Sequence, residues 1–183
     1  MERSSAVRYT YRDILSLPES ETRRHEILDG KLYVTAAPRV NHQRVVFDLA
    51  ALMNAIAGER NAGEVMGSVT VHVDDDMVFV PDLVFVSRDR VSIVDPEGDV
   101  HGMPDLVVEV LSPSTRSYDR ELKRKHYLAA GLAELWLVDV DARSVEVWRT
   151  GPVGADHVED ALVWRVDGGA FELRLADIFR RVA

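Results

Sequence analysis

The order of apolar runs predicts an α/β domain built on a mixed sheet, and three observations carry that expectation. Met103 to Leu111 and Leu135 to Val140 are almost continuously apolar, as strands buried on both faces are. Between them Arg116 to Ala130 reads as a helix with Gly131 at its end, and a strand–helix–strand unit implies a right-handed crossover with parallel pairing. The remaining strand signals come in hairpins, so antiparallel pairs should join the parallel one.

Taken in order, Thr10 can cap a short helix from Tyr11 to about Leu17, stopped by Pro18. Asp29-Gly30 separates Arg24–Leu28 from Lys31–Val34, a hairpin signal because both turn positions tolerate positive φ. From Asn41 to about Ala57, apolar residues at Val45, Val46, Leu49, Leu52, Met53 and Ile56 keep a helical spacing, and Gly58 lies just past them. Glu64 to Val73 alternates as a strand, Asp74-Asp75-Asp76 turns, and Met77 to Val86 returns, with Pro81 expected at an edge or bulge. Ser112 to Thr115 breaks the buried run and offers helix caps. Ser144 to Arg149 should pair back on the strand before it. Two short strands near Leu162–Val166 and Ala170–Leu173 flank Asp167-Gly168-Gly169, and a last helix lies near Ala176–Arg181. Without repeats, low-complexity segments or a linker, residues 1–183 read as one domain.

The composition is that of a globular chain: 46% hydrophobic and 29% charged over 183 residues. No apolar run approaches the ~20 residues of a membrane span, and no secretory apolar stretch follows Met1, so a cytoplasmic protein is expected. The absence of cysteine excludes disulfides, cysteine–zinc sites and thiol catalysis. A net charge of −9 argues against a general nucleic-acid binder but leaves room for a local patch. Arg116 to Lys125 is such a stretch, with five basic residues against two acidic ones.

Acidic residues inside apolar strands need a reason, because buried charge is costly unless it is paired or bound to metal. Asp82, Asp105 and Glu109 stand out. Asp105 and Glu109 share a face, but at ~3.3 Å per residue they lie roughly 13 Å apart and cannot share one ion. Glu109 therefore needs a partner from another strand, and Asp82 in Val80-Pro81-Asp82-Leu83-Val84 is the candidate. All-oxygen ligation suits Mg²⁺ or Mn²⁺, ions that serve phosphoryl chemistry. Lys123, on the helix after Glu109, can add positive charge or simply pair with Asp119 four residues earlier. Asp119, Lys123 and Tyr127 share one helix face. On the residues alone, Glu26 reads as an exposed hairpin position that could add an oxygen, Asp105 as a solvated strand start, and His42 as a solvated or capping residue. No nucleophile elbow, phosphate-binding glycine loop, dinucleotide fingerprint or His-Glu-x-x-His competes with the carboxylates.

Pro81-Asp82-Leu83-Val84-Phe85-Val86, Pro104-Asp105 through Glu109-Val110-Leu111-Ser112-Pro113-Ser114-Thr115, Asp119, Lys123, Tyr127, Gly131 and Glu134-Leu135-Trp136-Leu137-Val138-Asp139 together resemble the Uma-two family. These are bacterial restriction-endonuclease-like proteins of the PD-(D/E)XK nuclease superfamily. His25 to Gly30 and His42 resemble that family's amino-terminal pattern. The resemblance spans roughly residues 10 to 180. It implies a restriction-endonuclease-like core, a four-stranded mixed sheet with a helix on either side, extended by an N-terminal hairpin and C-terminal strands. It also implies a Mg²⁺- or Mn²⁺-dependent endonuclease acting on DNA. Asp82 and Glu109 would be its metal ligands, the Val110 carbonyl an extra one, and Glu26 the added acid. The lysine expected two positions after Glu109 is replaced by Leu111, and Lys123 matches the position to which similar families move it. Arg116, Arg120 and Arg124, with His42, would contact the DNA. A homodimer would suit a double-strand cut, with the strands near the carboxyl end as its interface, and no protein partner is identifiable. The competing readings are a nuclease fold that binds nucleic acid or protein without cutting, and a substrate of RNA or branched DNA.

Overall fold

Asp29 and Gly30 both adopt positive φ, and the turn they make folds β1 (Arg23–Leu28) onto β2 (Lys31–Ala36) with Leu28 opposite Lys31. Ahead of this hairpin lies α1 (Tyr11–Leu15), whose first turn is closed by the Asp13 carboxylate accepting from the Thr10 amide and hydroxyl. The computed structural model describes residues 7–17, 23–36, 38–96, 98–113, 115–151 and 154–182. The expected stop at Pro18 and the expected cap at Ser114 fall outside them.

The helical spacing after Asn41 becomes α2 (Val40–Arg60), which buries Val45, Val46, Leu49, Met53 and Ala57. It runs through Gly58 rather than ending there. Asn61, left-handed at φ 51°, supplies the C-cap by donating to the Ala57 and Gly58 carbonyls.

Both long strands expected between Glu64 and Val86 are broken. The first becomes β3 (Gly63–Gly67) and β4 (Val71–Asp74); the second becomes β5 (Met77–Phe79) and β6 (Leu83–Ser87). The breaks face each other. Ser68 turns at φ 54° and donates its amide to the Asp82 carbonyl, while Pro81 has no amide to continue a ladder. The double strand is thus a bent ribbon. One half, β3 with β6, joins one sheet, and the other half, β4 with β5, joins a second.

A 3₁₀ turn over Arg88–Ile93 and the two-residue β7 (Val100–His101) lead to β8 (Leu106–Leu111), every residue of which is buried. The helix that follows occupies 116–129; Tyr118–Lys123 is wound as a π-helix and passes into α3 (Arg124–Ala129). Then come β9 (Glu134–Asp139), β10 (Ser144–Arg149), β11 (Ala155–Val158), β12 (Ala161–Val166), β13 (Gly169–Arg174) and α4 (Leu175–Ile178).

The main sheet has the order β11-β10-β9-β8-β6-β3, with β8 and β9 parallel as the crossover requires and its other pairs antiparallel. Its central members match the mixed four-stranded core expected from sequence. The second sheet, β2-β1-β5-β4-β7, was not foreseen beyond its two hairpins, β1–β2 and β4–β5. Alternation along β8 and β9 sends Val108, Val110, Trp136 and Val138 toward α2, α4 and Trp164 of β12. Val107, Leu111, Leu135 and Leu137 face Tyr127 and the second sheet's Val71 and Phe79. The region between the sheets on this second face holds the polar groups.

Candidate active site

Glu109 lies on the face of β8 that also carries Val107 and Leu111, and only 3% of it is exposed. The β6–β8 ladder ends at Leu83 opposite Val108, because Pro81 and Asp82 have left the sheet. The Val110 amide just past that end is taken by Asp82, whose Oδ2 accepts it at 2.9 Å. A ribbon break therefore brings Asp82 beside Glu109. Asp82 Oδ1 accepts from Arg24 Nη1 at 2.7 Å, and Oδ2 also meets His42 Nε2 at 3.0 Å.

The π-helical segment delivers Lys123 from the other side. Its Nζ lies 2.6 Å from Glu109 Oε1 and 2.7 Å from Glu26 Oε1, and the lysine is 2% exposed. Tyr127, four residues on, donates to the same Glu109 oxygen at 2.6 Å. Glu26 accepts from the Val80 amide at 2.8 Å and from the Tyr118 hydroxyl at 3.2 Å. Asp119 is buried on the same wall. Arg24, Glu26, His42, Asp82, Glu109 and Lys123 all line a cleft of about 300 Å³.

Several sequence expectations need revision. Glu26 is not exposed, because the second sheet folds β1 over the end of β8. His42 is neither solvated nor a cap; the first turn of α2 points it at Asp82, and its Nδ1 is buried without a partner among the described residues. Lys123 pairs with Glu26 and Glu109 rather than directly with Asp119. Asp105, just ahead of β8, accepts from the Ser87 amide and from Arg90. The arginines expected on DNA turn elsewhere. Arg116 is bonded to Asp139 and Asp141, Arg120 to Asp139 and Glu146, and Arg124 stacks 4.0 Å from the Trp148 ring centre. None of the three lines the cleft. Sequence reasoning missed Arg24, whose i,i+2 relation to Glu26 on one face of β1 was the available signal.

The charges are unbalanced. Four buried carboxylates, Glu26, Asp82, Glu109 and Asp119, face Lys123 and Arg24, with His42 beside Asp82. Burial pushes the Glu109 carboxyl up to about 8; Lys123 pulls it down, while Asp119, Asp82 and Glu26 push it further up. Asp119 is raised to about 6, again by burial first, against Lys123 and a hydrogen bond from Thr115. Burial also disfavours the Asp82 anion, yet His42 and Arg24 outweigh it and hold Asp82 down at about 2. Burial works against the Lys123 cation, but Glu109, Glu26 and Asp119 overcome it and raise its pKa. Lys123 is therefore a fixed cation and not a base.

A cluster so short of positive charge, and so rich in carboxylate oxygens, has the chemistry a hard divalent cation requires. Among the described residues no three Asp, Glu, His or Cys side chains form a ready ligand set. Asp82 and Glu109 with main-chain and water oxygens would suffice for Mg²⁺, which keeps several waters in its shell.

The Uma2 family model, described as "Putative restriction endonuclease", matches residues 11–169. The chain belongs to the Uma2 family. Similar curated relatives include the uncharacterized proteins sll1609 and slr1290 of Synechocystis. The first is 25% identical over 139 residues, covering 75% of this chain and 78% of its own length. The second is 30% identical over 139 residues, covering 74% and 70%. A crystal structure from Anabaena variabilis, titled a putative nuclease belonging to DUF820, superposes with a TM-score of 0.77 over 93% of this chain and 97% of that one, at 22% identity. That likeness supports the fold of this Uma2 protein, a restriction-endonuclease-like core. No helix among the described residues is long and apolar enough to cross a membrane.

Proposed function

We propose that this Uma2 protein is a metal-dependent endonuclease that hydrolyses DNA phosphodiester bonds. The observation that carries the reading is the convergence of Asp82, Glu109 and Lys123 from three separate elements into one buried cleft. Asp82, Glu109 and the Val110 carbonyl would hold Mg²⁺ or Mn²⁺, which when bound lowers the pKa of a water ligand and offsets charge on the phosphate.

The chain's own groups then have distinct tasks. Arg24, His42 and the Val110 amide hold both Asp82 oxygens, fixing the plane of that carboxylate. Tyr127 and Lys123 both hold one Glu109 oxygen, Oε1. Lys123 remains protonated, so its work is electrostatic: it presents a preorganised charge where negative charge gathers as water adds to phosphorus and one ester P–O bond breaks. Glu26 is a positioning residue, anchored by the Val80 amide and Tyr118 and holding the ammonium in place. A homodimer would set two such clefts against the two strands of a duplex.

Supercoiled plasmid incubated with Mg²⁺ or Mn²⁺ tests the reading, comparing the parent with Glu109→Ala and Lys123→Ala. Nicking by the parent that falls by about 100-fold or more in both variants, with circular dichroism unchanged, is the expected result. A parent that does not cut, or three proteins that cut alike, would sink the nuclease reading and leave a binding module.

A further inference from the structure

Phosphate attraction depends on charge left over after local pairing, and in an acidic chain that surplus must be located in space rather than along the sequence. Arg116 and Arg120 are each answered by two carboxylates. Around the start of α2 the balance reverses. The Arg39 side chain has no ion-pair or hydrogen-bond partner among the described residues, and Arg39 lines both the cleft and a neighbouring cavity of about 410 Å³. Arg44, in that second cavity, is held by neutral oxygens: Asn41 Oδ1 at 3.1 Å and the Arg181 carbonyl at 3.2 Å. Arg143 donates to the Val182 carbonyl at 3.0 Å. Arg180 and Arg181 share the single carboxylate of Asp48, leaving one positive charge over. Asp141, the acid on the cavity wall, is engaged by Arg116 at 2.8 Å. The first turn of α2 carries no acidic residue.

These arginines are also contiguous. Arg39 and Arg44 share a cavity, Arg44 touches the main chain of Arg181, and Arg143 touches that of Val182. We propose that this line is a track for the sugar-phosphate backbone of the substrate strand, leading away from the cleft over Arg39 and Arg44 to Arg181 and Arg143. It rests on the nuclease reading and adds the path the strand takes. Guanidiniums oriented by carbonyl oxygens keep their full charge and present their remaining N–H groups in a fixed fork, a geometry suited to phosphate. Such contacts set register without reading bases.

The test is equilibrium binding of a fluorescent duplex oligonucleotide in Ca²⁺ across a salt series, run beside the plasmid assay. The parent is compared with Arg39→Ala/Arg143→Ala, the two ends of the track, and with Arg60→Ala, which pairs with Asp167 at the other end of α2. The double variant should bind about 10-fold more weakly and lose about two units of the log K against log salt slope, while Arg60→Ala binds as the parent does. Should the double variant lose stability, Arg39→Ala alone, exposed and without a partner, should still lose about one unit of slope. A parent that binds and nicks while the track variants match it in affinity and slope would overturn the track and spare the nuclease. A parent that neither binds nor nicks would overturn both.

Discussion

Asp48 is withdrawn from water on α2, while the guanidiniums of Arg180 and Arg181 that reach it, at 2.7 and 2.8 Å, stay largely in solvent. Burial works against the anion, but the hydrogen bonds from Arg181 and Arg180 prevail and hold the carboxyl below its ordinary range. The native state then binds fewer protons than the unfolded chain as the pH falls through the carboxylate range. Its contribution to stability is present above about pH 4 and is lost below it. Asp48→Asn should cost about 1–3 kcal/mol near pH 7, a cost that shrinks as the pH falls below about 4, as read by urea unfolding at pH 7 and near pH 3. A constant difference across that range would contradict the assignment. The site residues follow the same reasoning with higher stakes: removing Lys123 would strand Glu26 and Glu109 without their cation, whereas Arg24 has water as an alternative partner.

At the scale of elements, the ribbon made of β3 to β6 decides most of the geometry. Gly63 opens β3 at φ 149°, and a Cβ there would lie 2.2 Å from the Val86 carbonyl oxygen. Gly63→Ala should therefore cost roughly 2–4 kcal/mol in chemical unfolding, from main-chain strain and overlap together. A loss under about 0.5 kcal/mol would mean that the edge strand shifts freely. The same ribbon marks where the sequence could be read and where it could not. Asp82 and Glu109 were legible because each is an acid inside an apolar run, and the parallel β8–β9 pair was legible because both strands are apolar on both faces. Glu26 was not, since its burial depends on a second sheet whose strands come from three separate places in the chain. The pairing of Arg116 and Arg120 was not legible either, because their counter-charges, Asp139, Asp141 and Glu146, arrive from β9, β10 and the turn between them. Counting charge along the chain cannot reveal such pairing.

For the whole molecule, the bent ribbon has a thermodynamic corollary. Each of its two paired halves belongs to a different sheet, and Tyr127 packs on Phe79 of one while bonding Glu109 of the other. Neither sheet can come apart without tearing the strands of its neighbour. The three tryptophans, Trp136, Trp148 and Trp164, report on the main sheet and the β12–β13 hairpin, whereas far-UV circular dichroism reports on all the secondary structure. Heating should give one transition, coincident by tryptophan emission and circular dichroism. Two separated midpoints would show that the sheets unfold independently.

The charged cleft also bears on how such a chain drifts through its history. Replacing a buried ionic cluster by well-packed apolar side chains often stabilises a fold by about 1–4 kcal/mol. A lineage that had ceased to use the cleft would gain stability by filling it with leucine and methionine, but only once the whole cluster was replaced, because each single loss strands a buried charge. Glu26, Asp82, Glu109 and Lys123 are thus a reservoir of unrealised stability. A combinatorial library that replaces all four positions together by apolar side chains should yield proteins more thermostable than the parent and inactive, whereas each single replacement should be destabilising.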